Sequence, residues 1–232
     1  MTGTDVEIQT TDGIMGGYLA APSAARGPGL VVIQEIFGVN RVMRDLADGF
    51  AARGYVALVP DLFWRIEPGV QLSDKSRPEW DKAFALMNAF DPDKGAGDIQ
   101  AAIDHLRKSD RCSGKVGVVG YCLGGLLAYL AATRTDADAA VGYYGVNIQT
   151  RLGEAKNISK PLTLHIAGKD QFVPPPARTA IVDGLKSNPL VTIHVYPEMD
   201  HAFARAGGEH FDRANAELAN GRTATFFRQH LS

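Results

Sequence analysis

Cys122 lies in the run Gly120-Tyr121-Cys122-Leu123-Gly124, directly after the apolar stretch Val116–Val119 and ahead of a helix-forming stretch. Strand, tight turn and helix in that order form a nucleophile elbow, here with cysteine in the serine position. The turn is too tight for side chains on either flank, so glycine brackets it. It sets the thiol at a helix N-terminus, where the positive end of the helix dipole favours thiolate, the reactive form. A lone free cysteine is more often a small buried apolar residue. That reading applies to Cys112, which lacks the flanking glycines. The glycines Gly117, Gly120, Gly124 and Gly125 do not spell a dinucleotide-binding G-x-G-x-x-G, and no Walker A sequence is present.

A thiolate in acyl transfer works with a histidine held by a carboxylate. Asp170 follows the apolar run Leu162–Ile166, and His201 follows Thr192–Tyr196. Taken singly, Asp170 reads equally well as a turn residue before Val173-Pro174, and His201 as a solvated loop histidine. Three such groups, each just past an expected strand, favour chemistry over coincidence. His165 and His194 fall inside expected strands, and His105, His210 and His230 on expected helices, so all five read as structural or surface residues.

The elements that must position these groups alternate. Val6–Gln9 and Gly17–Ala20 flank Asp12-Gly13 as a hairpin. Strands are expected at Leu30–Gln34, Tyr55–Val59, Val116–Val119, Ala139–Tyr143, Leu162–Ile166 and Thr192–Tyr196. Between them, helical spacing marks Val42, Leu46 and Phe50; Glu79–Asn88; Ile99 to Leu106; Leu126–Arg134; and Ala177 to Leu185. A C-terminal helix opens at Phe211 and continues, after a break near Gly221, to His230. Residues 61–78 read as irregular. Six strand–helix repeats predict an α/β protein with a mostly parallel central sheet covered by helices on both faces. Chemistry in such sheets sits beyond the C-terminal strand ends.

The chain has 232 residues, 45% hydrophobic and 22% charged, with net charge −2. At this size about 70% of the extended surface is buried on folding, which suits a single domain over 1–232. Disordered and fibrous classes are excluded. The balanced charge gives no footprint for nucleic acid or an anionic membrane. Two cysteines make neither a disulfide framework nor a zinc cluster. No basic, then apolar, N-terminal signal is evident. Val116–Ala132 is uncharged but rich in glycine, so it reads as strand, turn and buried helix rather than a membrane span. A reducing, cytoplasmic location and a monomer are expected.

At these residues the sequence resembles the dienelactone hydrolases, cysteine hydrolases of the α/β-hydrolase fold, over nearly its whole length. The pieces are Gln34-Glu35-Ile36-Phe37-Gly38-Val39-Asn40, Pro60-Asp61-Leu62, Gly117 to Gly125, Val141-Gly142-Tyr143-Tyr144-Gly145, Phe172-Val173-Pro174 and His201-Ala202-Phe203-Ala204-Arg205. The order Cys, Asp, His is that of an α/β-hydrolase triad. The resemblance implies a triad of Cys122, His201 and Asp170. It implies that Glu35 contacts the thiol and exchanges partners with Arg205 when substrate binds. The oxyanion hole would use the N–H groups of Leu123 and Ile36. Arg205, Arg77, Trp80, Phe37 and Tyr143 are the expected substrate-binding residues. The family's second substrate-binding arginine falls on Trp80, with Arg77 the nearest substitute. Asp200 replaces the family's glycine before the histidine, and a left-handed turn there is tolerable for aspartate.

The implied reaction opens a small enol-lactone through a cysteinyl acyl-enzyme, without metal or organic cofactor. A broader carboxylesterase or thioesterase on the same triad is the alternative. A ligand-binding sensor is disfavoured by the intact Cys122, Asp170 and His201. A thiol redox enzyme is disfavoured by the lack of a C-x-x-C pair.

Overall fold

A computed structural model describes residues 3–23 and 26–232. Its strands are β1 (Thr4–Gln9), β2 (Ile14–Ala20), β3 (Gly27–Ile33), β4 (Val56–Pro60), β5 (Cys112–Tyr121), β6 (Ala139–Tyr143), β7 (Leu162–Ala167) and β8 (Val191–Tyr196). They form one sheet in the order β1-β2-β4-β3-β5-β6-β7-β8. The β1–β2 and β2–β4 pairs are antiparallel, and every pairing from β4 to β8 is parallel. The helices are α1 (Arg41–Ala52), α2 (Arg77–Ala89), α3 (Pro92–Lys108), α4 (Leu123–Arg134), α5 (Pro175–Leu185) and α6 (Arg213–Leu231). Among the described residues no helix is long and apolar enough to cross a membrane.

Side-chain alternation along a strand shows how both faces are covered. Gly29 of β3 lies opposite Val116 of β5 and has Leu106 of α3 above it. The next residue of β5, Gly117, meets Phe227 and Leu231 of α6. Neighbouring residues point to opposite faces, so α3 and α6 cover opposite sides. β3, β6 and the Val116–Tyr121 part of β5 are central and buried, which is why their apolar runs are nearly unbroken.

Among the differences from expectation, three have a clear physical reason. The C-terminal helix starts at Arg213, where Asp212 caps it by accepting from the Asn215 N–H at 2.9 Å, and it runs unbroken past Gly221. A helical glycine costs only about 1 kcal/mol relative to alanine. The buried stripe Ala216, Ala219, Thr223, Phe227 and Leu231 outweighs that cost. α4 begins at Leu123 rather than Leu126, because the elbow feeds it directly. A 3-10 helix, Ile148–Asn157, was not expected, since only Ile148 of it is buried and no apolar stripe marks it.

Candidate active site

The C-terminal strand ends deliver four segments to one place: Glu35 and Ile36 after β3, Cys122 after β5, Asp170 after β7 and His201 after β8. Cys122 sits between β5 and α4 with φ 57°, in the left-handed region. A Cβ on Gly120 would collide with the Gly124 carbonyl oxygen. One on Gly124 would stand 2.5 Å from the Ile33 carbonyl oxygen. The elbow therefore accepts only glycine at both flanks. Among the described residues the other non-glycine positions with positive φ are Tyr144, Asn147 and Ala202. All three adjoin the same place: Asn147 lines the cavity at Cys122, Ala202 follows His201, and Tyr144 meets the His201 ring edge-on at 5.1 Å. Such backbones cost roughly 1–3 kcal/mol each and persist where packing over-determines them. The left-handed residue of the histidine turn is thus Ala202, not Asp200. Asp200 instead accepts the His201 main-chain N–H at 2.6 Å.

His201 Nδ1 lies 2.8 Å from Asp170 Oδ2, and Asp170 Oδ1 accepts the Phe172 N–H at 2.8 Å. Two main-chain bonds, Gly168 N–H to the Tyr196 carbonyl and Lys169 N–H to the Met199 carbonyl, tie the two loops together. Burial acts to lower the His201 pKa. The charge of Cys122 and the Asp170 hydrogen bond outweigh it and lift His201 to about 10. At neutral pH the His201 imidazole is therefore charged. By NMR, His201 is expected to titrate near pH 10 in the free protein. Its midpoint should fall towards an ordinary histidine value once Cys122 is carboxamidomethylated. A midpoint indifferent to alkylation would show that the sulfur does not hold the proton there.

Cys122 and His201 open on a cavity of about 130 Å³ lined by Ile36, Phe37, Trp80, Phe84, Met87, Val146, Asn147, Phe172 and Arg205. Rings follow one another around it: Phe37 to Trp80 at 5.0 Å, Trp80 to Phe84 at 5.5 Å, Phe84 to Phe172 at 6.4 Å, and Phe172 to His201 at 4.8 Å. Of the sequence candidates, Phe37, Trp80, Arg205 and Ile36 line this cavity. Leu123 is the first residue of α4, where a main-chain N–H has no acceptor within the helix. Glu35 Oε2 accepts from Arg205 Nη1 at 3.2 Å, while Oε1 is buried with no hydrogen-bond partner among the described residues. Glu35 thus stands on Arg205, with no hydrogen bond to Cys122.

Two candidates are elsewhere. Arg77 is at the start of α2 with its side chain 87% exposed and paired to Asp81 at 2.7 Å, so it does not substitute for the missing arginine. Tyr143 is wholly buried on the α6 side of the sheet, where its hydroxyl bonds Thr223 at 2.6 Å and Asn220 at 3.0 Å. It cannot touch a substrate. Its neighbour His165 is equally structural, bonded to Tyr196 and Thr223 and held at a pKa of about 3 by burial.

Sequence reasoning missed Phe84, Met87, Phe172 and Asp74. Trp80, Phe84 and Met87 recur at helical spacing, a large apolar stripe that was legible. Asp74 carries no sequence signal. Its Oδ2 lies 3.2 Å from Arg205 Nη2.

The sequence model of the dienelactone hydrolase family matches residues 15–231. Over 230 residues the chain is 54% identical to an Azospirillum brasilense protein named "Putative carboxymethylenebutenolidase", covering 98% of this chain and 99% of that one. It is 41% identical over 222 residues to the carboxymethylenebutenolidase of Pseudomonas putida, covering 95% and 94%. A solved structure from Klebsiella pneumoniae, described as a "Putative Dienelactone Hydrolase", superposes with a TM-score of 0.85 at 24% identity over 99% of this chain and 100% of that one. At that identity the likeness speaks for the fold alone, the α/β-hydrolase fold.

Proposed function

The chain belongs to the dienelactone hydrolase family and is a carboxylic ester hydrolase, and from that premise we propose that it opens a small enol-lactone through a cysteinyl acyl-enzyme. The observation that carries this reading is the meeting of Cys122, on its strained elbow, with the His201–Asp170 pair at one apolar cavity.

The thiolate attacks the lactone carbonyl, and the N–H groups of Leu123 and Ile36 hold the oxyanion. Each such donor is worth about 3 kcal/mol in the transition state. Collapse breaks the ring C–O bond and leaves an enolate on the acyl chain, a leaving group that needs little help. The His201 imidazolium gives its proton to that enolate. With the sulfur acylated, the charge that raised His201 is gone, so the neutral ring takes a proton from water. The hydroxide attacks the thioester, the acid departs, and thiolate and imidazolium are restored. Asp170 keeps the ring oriented throughout. Glu35, buried beside the site, is paired with Arg205.

Trp80 in the cavity wall, with Arg77 in solvent, favours a second reading, a broader carboxylesterase on the same triad. A kinetic panel of butenolides, muconolactones and p-nitrophenyl esters separates the two. Enol-lactone opening is expected to exceed p-nitrophenyl acetate hydrolysis by at least about tenfold in kcat/KM. The reverse order selects the broader esterase, and turnover of neither class ends the reading.

A further inference from the structure

We propose that Asp74 sets the charge selectivity of this site: by neutralising Arg205 it makes the cavity favour uncharged lactones and esters over those bearing a carboxylate. The inference rests on the hydrolase reading and goes beyond it by naming the substrate class.

Arg205 is the guanidinium on the cavity wall, which is otherwise mostly apolar, with Asn147 and the triad candidates Cys122 and His201 as its other polar groups. His201 is held by Asp170, which leaves Arg205 as the cation outside that pair for a substrate carboxylate to meet. Both outer nitrogens of Arg205 are already engaged, Nη1 with Glu35 and Nη2 with Asp74, each at 3.2 Å. The three side chains are 9%, 4% and 12% exposed, so solvent screens them little. One positive charge is shared between two negative ones, and the group carries a net charge of −1. Arg205 Nε is buried with no hydrogen-bond partner among the described residues, yet an incoming carboxylate still meets that net charge rather than a free cation. Lys75 Nζ is 3.0 Å from Asp74 Oδ1, but its side chain is 63% exposed and so does little to offset the aspartate.

Asp74 is also built in place. Trp80 Nε1 donates to its carbonyl at 3.1 Å. The adjoining Ser73 is held by Glu79, which accepts its N–H and its hydroxyl, each at 2.8 Å. The carboxylate is therefore a fixed part of the wall behind Arg205. Asp74 acts through Arg205 and does not itself line the cavity, which makes it a positioning residue for selectivity.

The test uses one lactone in two charge states, a butenolide with a carboxymethylene group and its methyl ester, with ring opening followed by absorbance. The wild-type protein is expected to show the lower KM for the methyl ester. Asp74→Asn keeps an oxygen for Arg205 and removes the charge. It is expected to lower KM for the carboxylate about tenfold, with kcat and the methyl-ester KM changed by less than about twofold. Asp74→Glu should restore the wild-type ratio, and Asp74→Ser gives the same readout if the asparagine variant folds poorly. A wild-type preference for the carboxylate overturns the proposal. So does an unchanged ratio in Asp74→Asn, or a rise in the carboxylate KM, which would make Asp74 a holder of Arg205 and not its neutraliser. Failure of the wild-type protein to open either lactone would instead remove the hydrolase reading.

Discussion

Cys122→Ser is expected to keep the fold and lose at least about 10³-fold in turnover of the lactone. The substitution changes one atom in a side chain that is 8% exposed, and the strained elbow is set by the glycines around it. What changes is the charge balance. The charge of Cys122 is the largest of the causes that raise His201. A serine hydroxyl stays neutral there, so His201 loses that support and the attacking group must be deprotonated during the reaction instead of beforehand. Near-UV circular dichroism checks the fold, steady-state kinetics the turnover, and mass spectrometry of quenched wild-type reactions the acyl adduct on Cys122. A serine variant within about tenfold of wild type, or an adduct on another residue, would remove the thiolate from its role.

Asp170→Asn is expected to lower kcat by about 10³–10⁴-fold while KM changes little. Asp170 Oδ2 receives the His201 Nδ1–H, and Oδ1 receives the Phe172 N–H. An amide has one oxygen for these two donors. Its NH₂ group, turned towards His201, forces the ring into the tautomer that cannot serve the sulfur side. The variant should also show a lower His201 titration midpoint, because the Asp170 hydrogen bond is among the interactions that raise it. A variant that retained kcat would place the orienting carboxylate elsewhere.

The candidate triad was legible because each proposed member is announced locally. The elbow is five consecutive residues with a glycine at both flanks. Asp170 follows a short apolar run that is buried as β7, and His201 follows Thr192–Tyr196, which pairs on it as the edge strand β8. The substrate side was less legible. Arg77 is three residues from Trp80, and sequence proximity made it the natural replacement for a missing arginine. In the folded chain it lies on the first turn of α2, free in solvent beside Asp81, while Trp80, Phe84 and Met87 form the face turned to the cavity. Tyr143 entered through the resemblance of the segment Val141-Gly142-Tyr143-Tyr144-Gly145. Strand parity decides the matter: Tyr143 lies opposite Tyr121 and His165, and its ring packs towards α6. A shift of one residue reverses the face a side chain meets.

The chain by itself determined the fold class and marked the proposed nucleophile and its proposed partners, because hydrophobic periodicity and turn chemistry are short-range and survive in one dimension. Tertiary structure alone decided which charges meet. Glu35 and Arg205 are separated by 170 residues, and Asp74 reaches Arg205 from a loop with no pattern of its own. No local preference encodes such contacts. They follow from how strands twist and loops pack once the core has formed, and that packing sets Arg205 between two carboxylates.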